Sequence, residues 1–445
     1  MTPATYAELI RDLFPRLTGG IRWGLERTLR LLAAVGNPDR TFRSLHVGGT
    51  NGKGSVCASL DAVLRLGHRK VGLYTSPHLC SFRERIQLDG TPLGEGVLLA
   101  AAGRLWPAIE AERPSFFEAT TALAFLALAE AGAEIVVAEV GLGGRLDATN
   151  VLRPDLAVLT NVAMDHAQYL GNTLEAIARE KAGIIKPGVP VVTAERDPAI
   201  LAIFRRCAGD GHAPFHVLPA GTPQLIRAGP EGSAFALQTP SWGRLELKTP
   251  LPGVHQATNA ALAARALELL PDDLRPSETD VVRGLAAVRW PGRLERATVA
   301  AGPHAGDWLF DVAHNPAGME AVVAALPTLD LRRPLVAVVG VLGDKDWSRM
   351  LPPLAGAVDA LVLTEPPTAP PERRWDPVAV LAHLPELGAA IVPDFGEALA
   401  QARTQAGGGT VLVTGSFHTV GDALALLELA PAGVDPPLHP LLHGL

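Results

Sequence analysis

Twelve residues, Ser44 to Ser55 (SLHVGGTNGKGS), hold the groups whose types and spacing point most directly to chemistry. Gly48, Gly49, Gly52 and Gly54 let backbone N–H groups converge on one point. Lys53 places an ammonium where it can neutralise phosphate charge, and Ser55 offers a hydroxyl of the kind that holds Mg²⁺. A short apolar strand, Leu45 to Val47, enters the loop, and a helical run through Val56, Leu60, Val63, Leu64 and Leu66 leaves it. Because a helix start adds positive potential, strand, glycine turn and helix together form a phosphate cradle. The loop departs from the strict G-x-x-x-x-G-K-[ST] pattern: Val47 stands in the first glycine's place, and Gly54 separates Lys53 from Ser55. A plain chain turn would need neither the lysine nor the serine. Gly49, Thr50, Asn51, Gly52, Lys53, Gly54 and Ser55 are therefore the candidate nucleotide-binding residues here.

Further polar groups fall at the ends of apolar strands, where open α/β sheets bind ligands. Glu139 ends the run Glu134 to Val140 and precedes Gly141, Gly143, Gly144, Arg145, Asp147 and Asn150. Asn161, Asp165 and His166 follow the strand Leu156 to Thr160. Ser55, Glu139 and His166 form a candidate Mg²⁺ set, and no cysteine or second histidine accompanies them at zinc spacing. On position alone, Glu139 also reads as a carboxylate capping the glycine turn, and His166 as a satisfied or surface histidine. Helix Thr173 to Ala182 delivers Glu180 and Lys181, a cation near the same edge. Strand Lys70 to Tyr74 opens into Thr75, Ser76, Pro77 and His78, followed by Arg83 and Arg85, which read equally as a solvated basic face or an anion site. In the second half, DVAHNP places Asp311, His314 and Asn315 after a strand. A strand-end aspartate can orient ribose hydroxyls or a nucleotide-bound cation, but the same word reads as an Asx turn with Pro316 opening a helix. Asp344, Lys345 and Asp346 repeat the arrangement after the next strand.

The elements that must hold these groups follow from length and pattern. At 445 residues, 48% apolar and 19% charged, with mean hydropathy +0.20, the chain can bury two sizeable cores. A net charge of -7 argues against broad nucleic-acid binding. Cys57, Cys80 and Cys207 form no disulfide framework, which fits a reducing compartment. The start, MTPATYAELIRDLF, has no apolar signal segment, and the runs Thr120 to Ala129 and Leu335 to Leu342 are too short to span a bilayer. The expectation is a cytoplasmic protein with no membrane or nucleic-acid partner. Helices are expected over Tyr6 to Leu13, Leu25 to Val35, Phe116 to Ala131 and His255 to Leu269, the last placing His255 and Asn259 on one face. From about 208 to 250, alternating pieces such as Ser233 to Leu237 and Gly243 to Leu247 suggest a small antiparallel addition. RWPGR, Arg289 to Arg293, marks the boundary between a domain over 1–290 and a second over 291–445. That second domain repeats the α/β alternation with strands Trp308 to Phe310, Leu335 to Val341, Ala360 to Thr364, Ala390 to Val392 and Thr410 to Thr414. The fold class is α/β with mostly parallel sheets, and two complete domains in one chain suggest a monomer whose cleft closes over ATP.

Together these words resemble one family from about Leu25 to Asp422. They are GLERTLRLL, HVGGTNGKGS, YTSPHL, FFEATTALAF, AEVGLGGRLDATN, TNVAMDHAQYLG and EKAGIIKPG, then PGRLE, DVAHNP, GVLGDKD and VTGSFHTVGD. Their order is similar to that of the Mur ligase superfamily, and within it the bacterial folylpolyglutamate and dihydrofolate synthases. The resemblance implies a Mur-ligase-like phosphate-loop domain followed by a smaller Rossmann-like domain completing the ATP and glutamate site. It implies an ATP- and Mg²⁺-dependent ligase that joins L-glutamate to dihydropteroate and to reduced folates through an acyl phosphate. Lys53, His166 and Lys181 then match catalytic positions, and Ser55 and Glu139 match magnesium ligands, with His166 on a second magnesium. Lys181 matches a lysine that can be carbamylated, and a monovalent cation is a further possible cofactor. Asn259, Arg293, Asp311 and His314 match positions that address ATP. Ser76 and His78 fall near the substrate cleft, with Arg83 as the anion-binding candidate behind them. The resemblance fits both a bifunctional enzyme and polyglutamylation alone. A peptidoglycan precursor ligase, a nucleotide-switched interaction protein and a dinucleotide oxidoreductase are the alternatives; TSPHL and EVGLGGRLDATN count against the first, and Lys53 with Ser55 against the last.

Overall fold

The computed structural model describes residues 2–14, 23–67 and 69–435. The last ten residues of the expected second domain lie outside these. Eight strands build the first sheet: β1 (Arg43–Gly48), β2 (Val71–Tyr74), β3 (Ile86–Leu88), β4 (Thr91–Pro92), β5 (Ile135–Glu139), β6 (Leu156–Leu159), β7 (Val191–Thr193) and β8 (Phe215–Val217). Their order is β4-β3-β2-β5-β1-β6-β7-β8. From β2 to β8 neighbours are parallel, while β3 and β4 add an antiparallel hairpin edge.

Within β5, Ile135 and Val137 face a core containing Val56, Leu60 and Val63 of helix Lys53–Leu64. Val136 and Ala138 face the opposite core, with Leu123 and Phe125 of helix Phe116–Glu130. Both faces are covered, so the strand reads as a continuous apolar run rather than an alternation. Helix Phe116–Glu130 starts on a capping box in which Ser115 and Glu118 exchange bonds, which fixes where the chain turns helical.

A three-stranded antiparallel sheet follows: β9 (Gln224–Gly229), β10 (Gly232–Thr239) and β11 (Gly243–Thr249), with β10 central. Phe235, Leu237, Leu245 and Leu247 join the core of helix Lys53–Leu64. The antiparallel region is thus narrower than the expected 208–250. Helix Pro198–Asp210 and the half-buried β8 belong to the parallel sheet's own layer system. Helix Glu95–Glu112 was not expected; it carries Pro107 and packs Leu98, Leu105 and Ile109 against the Phe116–Glu130 side.

The second sheet of the α/β type contains β12 (Glu295–Val299), β13 (Gly306–Phe310), β14 (Leu335–Val339), β15 (Ala360–Leu363), β16 (Ala390–Ile391) and β17 (Thr410–Thr414), in the order β12-β13-β17-β14-β15-β16. Only β12 is antiparallel, at one edge. Alternation again splits the layers: Leu335, Ala337 and Val339 face one core, and Val336 and Val338 the other. The α/β class with mostly parallel sheets is as expected. Among the described residues no helix is long and apolar enough to cross a membrane.

Candidate active site

The glycine loop between β1 and helix Lys53–Leu64 takes its shape from the tip of β6. Gly49 has φ +140, and a Cβ there would stand 1.8 Å from Thr160 Oγ1; Gly52 has φ +83, and its Cβ would stand 2.5 Å from Asn259 Oδ1. No side chain other than hydrogen fits at either position. Thr50 N donates to Asn161 O at 2.8 Å, Asn51 N to Asn161 Oδ1 at 3.0 Å, and Thr160 Oγ1 to Asn51 O at 2.7 Å. The helix has Gly52 as N-cap with no side-chain cap, so its first N–H groups stay open for an anion. Lys53 Nζ donates to Thr50 O at 3.1 Å.

Ser55 Oγ is buried and has no hydrogen-bond partner. A buried orphan hydroxyl is costly unless something takes it up, and a hard cation would do so. Among the described residues no three His, Cys, Asp or Glu side chains cluster as a metal cage. The orphan Ser55 hydroxyl fits Mg²⁺, which takes few protein oxygens and completes its shell with phosphate and water.

Glu139 ends β5 with its carboxylate buried, and Oε2 accepts from Ser76 N at 3.2 Å. Burial pushes its carboxyl up from the ordinary value, while Lys53, the Ser76 N–H, Arg293 and Arg85 pull it back towards the charged form. Lys181, also buried, donates to Gly49 O at 2.7 Å. Burial first and Lys53 second lower its ammonium to about 7. Burial and then Lys345 lower the His166 imidazole to about 3, which keeps its ring neutral. Lys53 thus stands close enough to Glu139, His166 and Lys181 to act electrostatically on each.

Beside Glu139, Ser76 and His78 lie in the loop after β2. Arg85 Nε donates to His78 Nδ1 at 2.7 Å, and the Arg85 guanidinium lies 5.3 Å from the centre of the Phe116 ring. Burial, then Arg85, pushes the His78 imidazole well below its ordinary value. Arg83 is placed differently, with Nε donating to Leu93 O at 2.8 Å on the hairpin. Of the two arginines, Arg85 is the one joined to His78.

The second sheet brings its strand ends to the opposite wall. A cleft of about 1070 Å³ between the two is lined in part by Ser76, Glu139, Trp290, Arg293 and Phe417. Arg293 lies over the Phe417 ring, 5.2 Å from its centre. Asn259 rests against Gly52 and donates to Gln256 Oε1 at 3.0 Å. Asp311 has both oxygens engaged, with Leu294 N at 3.0 Å and Ala313 N at 2.8 Å. His314 Nδ1 donates to Val312 O at 2.9 Å. Asn51 and Asn315 exchange amide bonds of 3.2 and 2.9 Å where the two domains meet.

Asp165 and Lys345 come together although 180 positions apart, with Nζ to Oδ1 at 2.6 Å and both side chains buried. Sequence reasoning placed both at strand ends and gave neither a role. Burial pushes the Asp165 carboxyl up, but His314 and Lys345 outweigh it and hold the group well below the carboxylate range. Only the pairing of two sheets could reveal that meeting.

The chain matches the Mur ligase middle domain over residues 47–267 and the Mur ligase glutamate ligase domain over 292–417. It is 34% identical to folylpolyglutamate synthase of Lacticaseibacillus casei over 427 residues, covering 91% of this chain and 94% of that one. It is 33% identical to the dihydrofolate synthase/folylpolyglutamate synthase of Escherichia coli over 422 residues, covering 92% of each. Among solved structures, Mycobacterium tuberculosis folylpolyglutamate synthase complexed with ADP superimposes with TM-score 0.85 at 33% identity, covering 95% of this chain and 98% of that one. The chain therefore belongs to the Mur ligase superfamily, in its dihydrofolate synthase/folylpolyglutamate synthase branch, and is an ATP-dependent ligase.

Proposed function

We propose that the protein joins L-glutamate to dihydropteroate and also to reduced folates or folylpolyglutamates, acting as both dihydrofolate synthase and folylpolyglutamate synthase. The observation that carries the catalytic reading is the meeting of an open helix N-terminus, Lys53, the orphan hydroxyl of Ser55 and the buried Glu139 at one edge of the first sheet. Relatives named for both activities support the double specificity.

The substrate carboxylate attacks the γ-phosphorus of ATP, and the bond to the β-phosphate oxygen breaks to release ADP. The neutral glutamate amine then attacks the acyl phosphate carbon, the carbon–oxygen bond to phosphate breaks, and the proton lost by the amine ends on the departing phosphate. Lys53 and the open N–H groups at the helix start, Lys53 to Ser55, hold the transferring oxygens and offset their growing charge. Magnesium, held by Ser55 and Glu139 and on a second ion by His166, would supply charge neutralisation at the phosphates. Neutral His166 keeps a ring lone pair, with Nε2 standing 3.5 Å from the Lys345 ammonium, which a metal at that nitrogen would displace. Lys181, lowered to about 7, holds much of its amine unprotonated, the form that adds carbon dioxide to give a carbamate and a proton. A monovalent cation is a further cofactor in this reading. Asn259, Arg293 and His314 address the nucleotide in this reading, Asp311 serves it by holding the backbone beside Arg293, and Ser76, His78 and Arg83 lie on the folate side. The chain would act as a monomer divided at Pro291.

Glutamate-dependent phosphate release with dihydropteroate and with tetrahydrofolate, products identified by mass, tests the assignment. One added glutamyl unit on each is expected. Extension of the folate alone would restrict the enzyme to polyglutamylation, the reading favoured by the similarity to Lacticaseibacillus casei folylpolyglutamate synthase.

A further inference from the structure

Asp165 accepts three hydrogen bonds, and a fourth polar side chain stands beside it. Oδ1 accepts from Lys345 Nζ at 2.6 Å and from the His166 backbone N–H at 2.9 Å; Oδ2 meets Asn315 Nδ2 at 3.0 Å and His314 Nε2 at 3.4 Å. Three of these four partners belong to the second domain. They arrive on two separate turns, His314 and Asn315 after β13 and Lys345 after β14. A single contact would leave the domains free to rotate about it, whereas contacts from two turns fix an angle as well as a distance.

Asn315 is itself held in one orientation. It caps helix Pro316–Ala325, Oδ1 accepting from Gly318 N at 2.8 Å and from Asn51 Nδ2 at 3.2 Å. Its amide nitrogen then divides two hydrogens between Asn51 Oδ1 at 2.9 Å and Asp165 Oδ2 at 3.0 Å. The amide is fully satisfied, and flipping it would oppose donor to donor at Gly318. Asn51 lies in the phosphate loop, so the loop, the Asp165 turn and the second domain share one hydrogen-bond network. Each oxygen of this carboxylate is thus engaged by a group of the protein, and both reach the second domain.

We propose that Asp165 is the docking carboxylate that sets the second domain in register over the phosphate loop, with Lys345 as its countercharge. A buried carboxylate of this kind binds strongly only while its partner stays, because removal leaves an uncompensated charge. Docking and chemistry are therefore coupled through Asn51 and His166, both joined to Asp165 directly or through Asn315.

The test uses the full chain, with spin labels on unnatural amino acids at exposed Glu175 and Glu386, one in each domain. Asp165→Asn and Lys345→Met should each broaden the interdomain distance distribution at least about twofold and lower kcat by about 100-fold. Lys345→Arg, which keeps the charge, should recover most of both. If Asp165→Asn does not fold, Lys345→Met carries the same expectation from the other side of the pair. Narrow distributions in both variants would overturn the proposal. So would a fall in kcat at unchanged distance, which would place Asp165 in the chemistry instead. The distance readout needs no acyl acceptor, so its failure is separate from any failure of the folate assignment.

Discussion

On the first-domain side of the domain junction, Ser55 Oγ has no hydrogen-bond partner and the Lys53 ammonium has one, the Thr50 carbonyl. On the second-domain side, which forms the other wall of that junction, Asp311 has both oxygens filled by Leu294 and Ala313 N–H groups, His314 is anchored on Val312 O, and Asn315 has every position of its amide occupied. One wall keeps groups open for a ligand, and the other uses similar groups to hold itself in shape. Open polar groups cost stability until something binds them, and satisfied ones contribute stability whether or not it does. Substitutions on the two walls should therefore separate into losses of rate and losses of stability.

The largest effect is expected at Lys53. Lys53→Ala removes the charge nearest the transferring phosphoryl group and should lower kcat by about 1000-fold. Its melting temperature should stay close to the parent's, because the lost ammonium makes one backbone contact. A large drop in melting temperature would erase the distinction between the walls.

Asp311→Asn should act the other way round. The new amide can accept from one of the two backbone N–H groups but turns its own hydrogens towards the other, so unfolding free energy should fall by about 1–3 kcal/mol in denaturant titration. The sites fixed by Asp311, Leu294 and Ala313, flank the turn that carries Arg293. A stable Asp311→Asn protein with abolished activity would move Asp311 to the open class.

Lys181 sharpens the comparison through pH. Its folded value near 7 lies below the ordinary 10.5 because burial disfavours the ammonium, with Lys53 adding repulsion. Between those values the unfolded chain binds the extra proton, so stability rises with pH across that window. Lys181→Met, measured by denaturant melts across it, should show a flatter profile than the parent. Equal slopes would mean that the amine titrates normally.

The smallest effect belongs to Arg83. Its Nε serves the Leu93 carbonyl, so Arg83→Ala should change kcat/KM for the folate by only about threefold. Arg85→Ala, which frees the His78 ring, should exceed it in the same assay.

What could be read from the residues depended on how local the cause was. The phosphate loop is specified by neighbours in sequence, a strand, glycines at tight approaches and a helix without a side-chain cap, and it stood out. Glu139 was legible for the same reason, as a carboxylate closing an apolar run. Asp165 and Lys345 were visible only as charged residues at strand ends, because the order of two sheets decides that they meet. Arg83 and Arg85 looked alike in sequence, and the short 3₁₀ turn Phe82–Arg85 sends their side chains to different partners. Helix Glu95–Glu112 is hard to read because Pro107, carried inside it, is a residue type that usually breaks helices, and β8 because three half-buried residues leave almost no pattern.

The transfer of the γ-phosphoryl group to the substrate carboxylate at the Lys53 loop is tested most directly by placing a heavy-oxygen label in that carboxylate and following it by mass spectrometry. An acyl phosphate intermediate predicts one labelled oxygen in the released phosphate for each amide formed, in parallel with glutamate addition, and almost none from Lys53→Ala. Unlabelled phosphate alongside normal amide formation would contradict the mechanism.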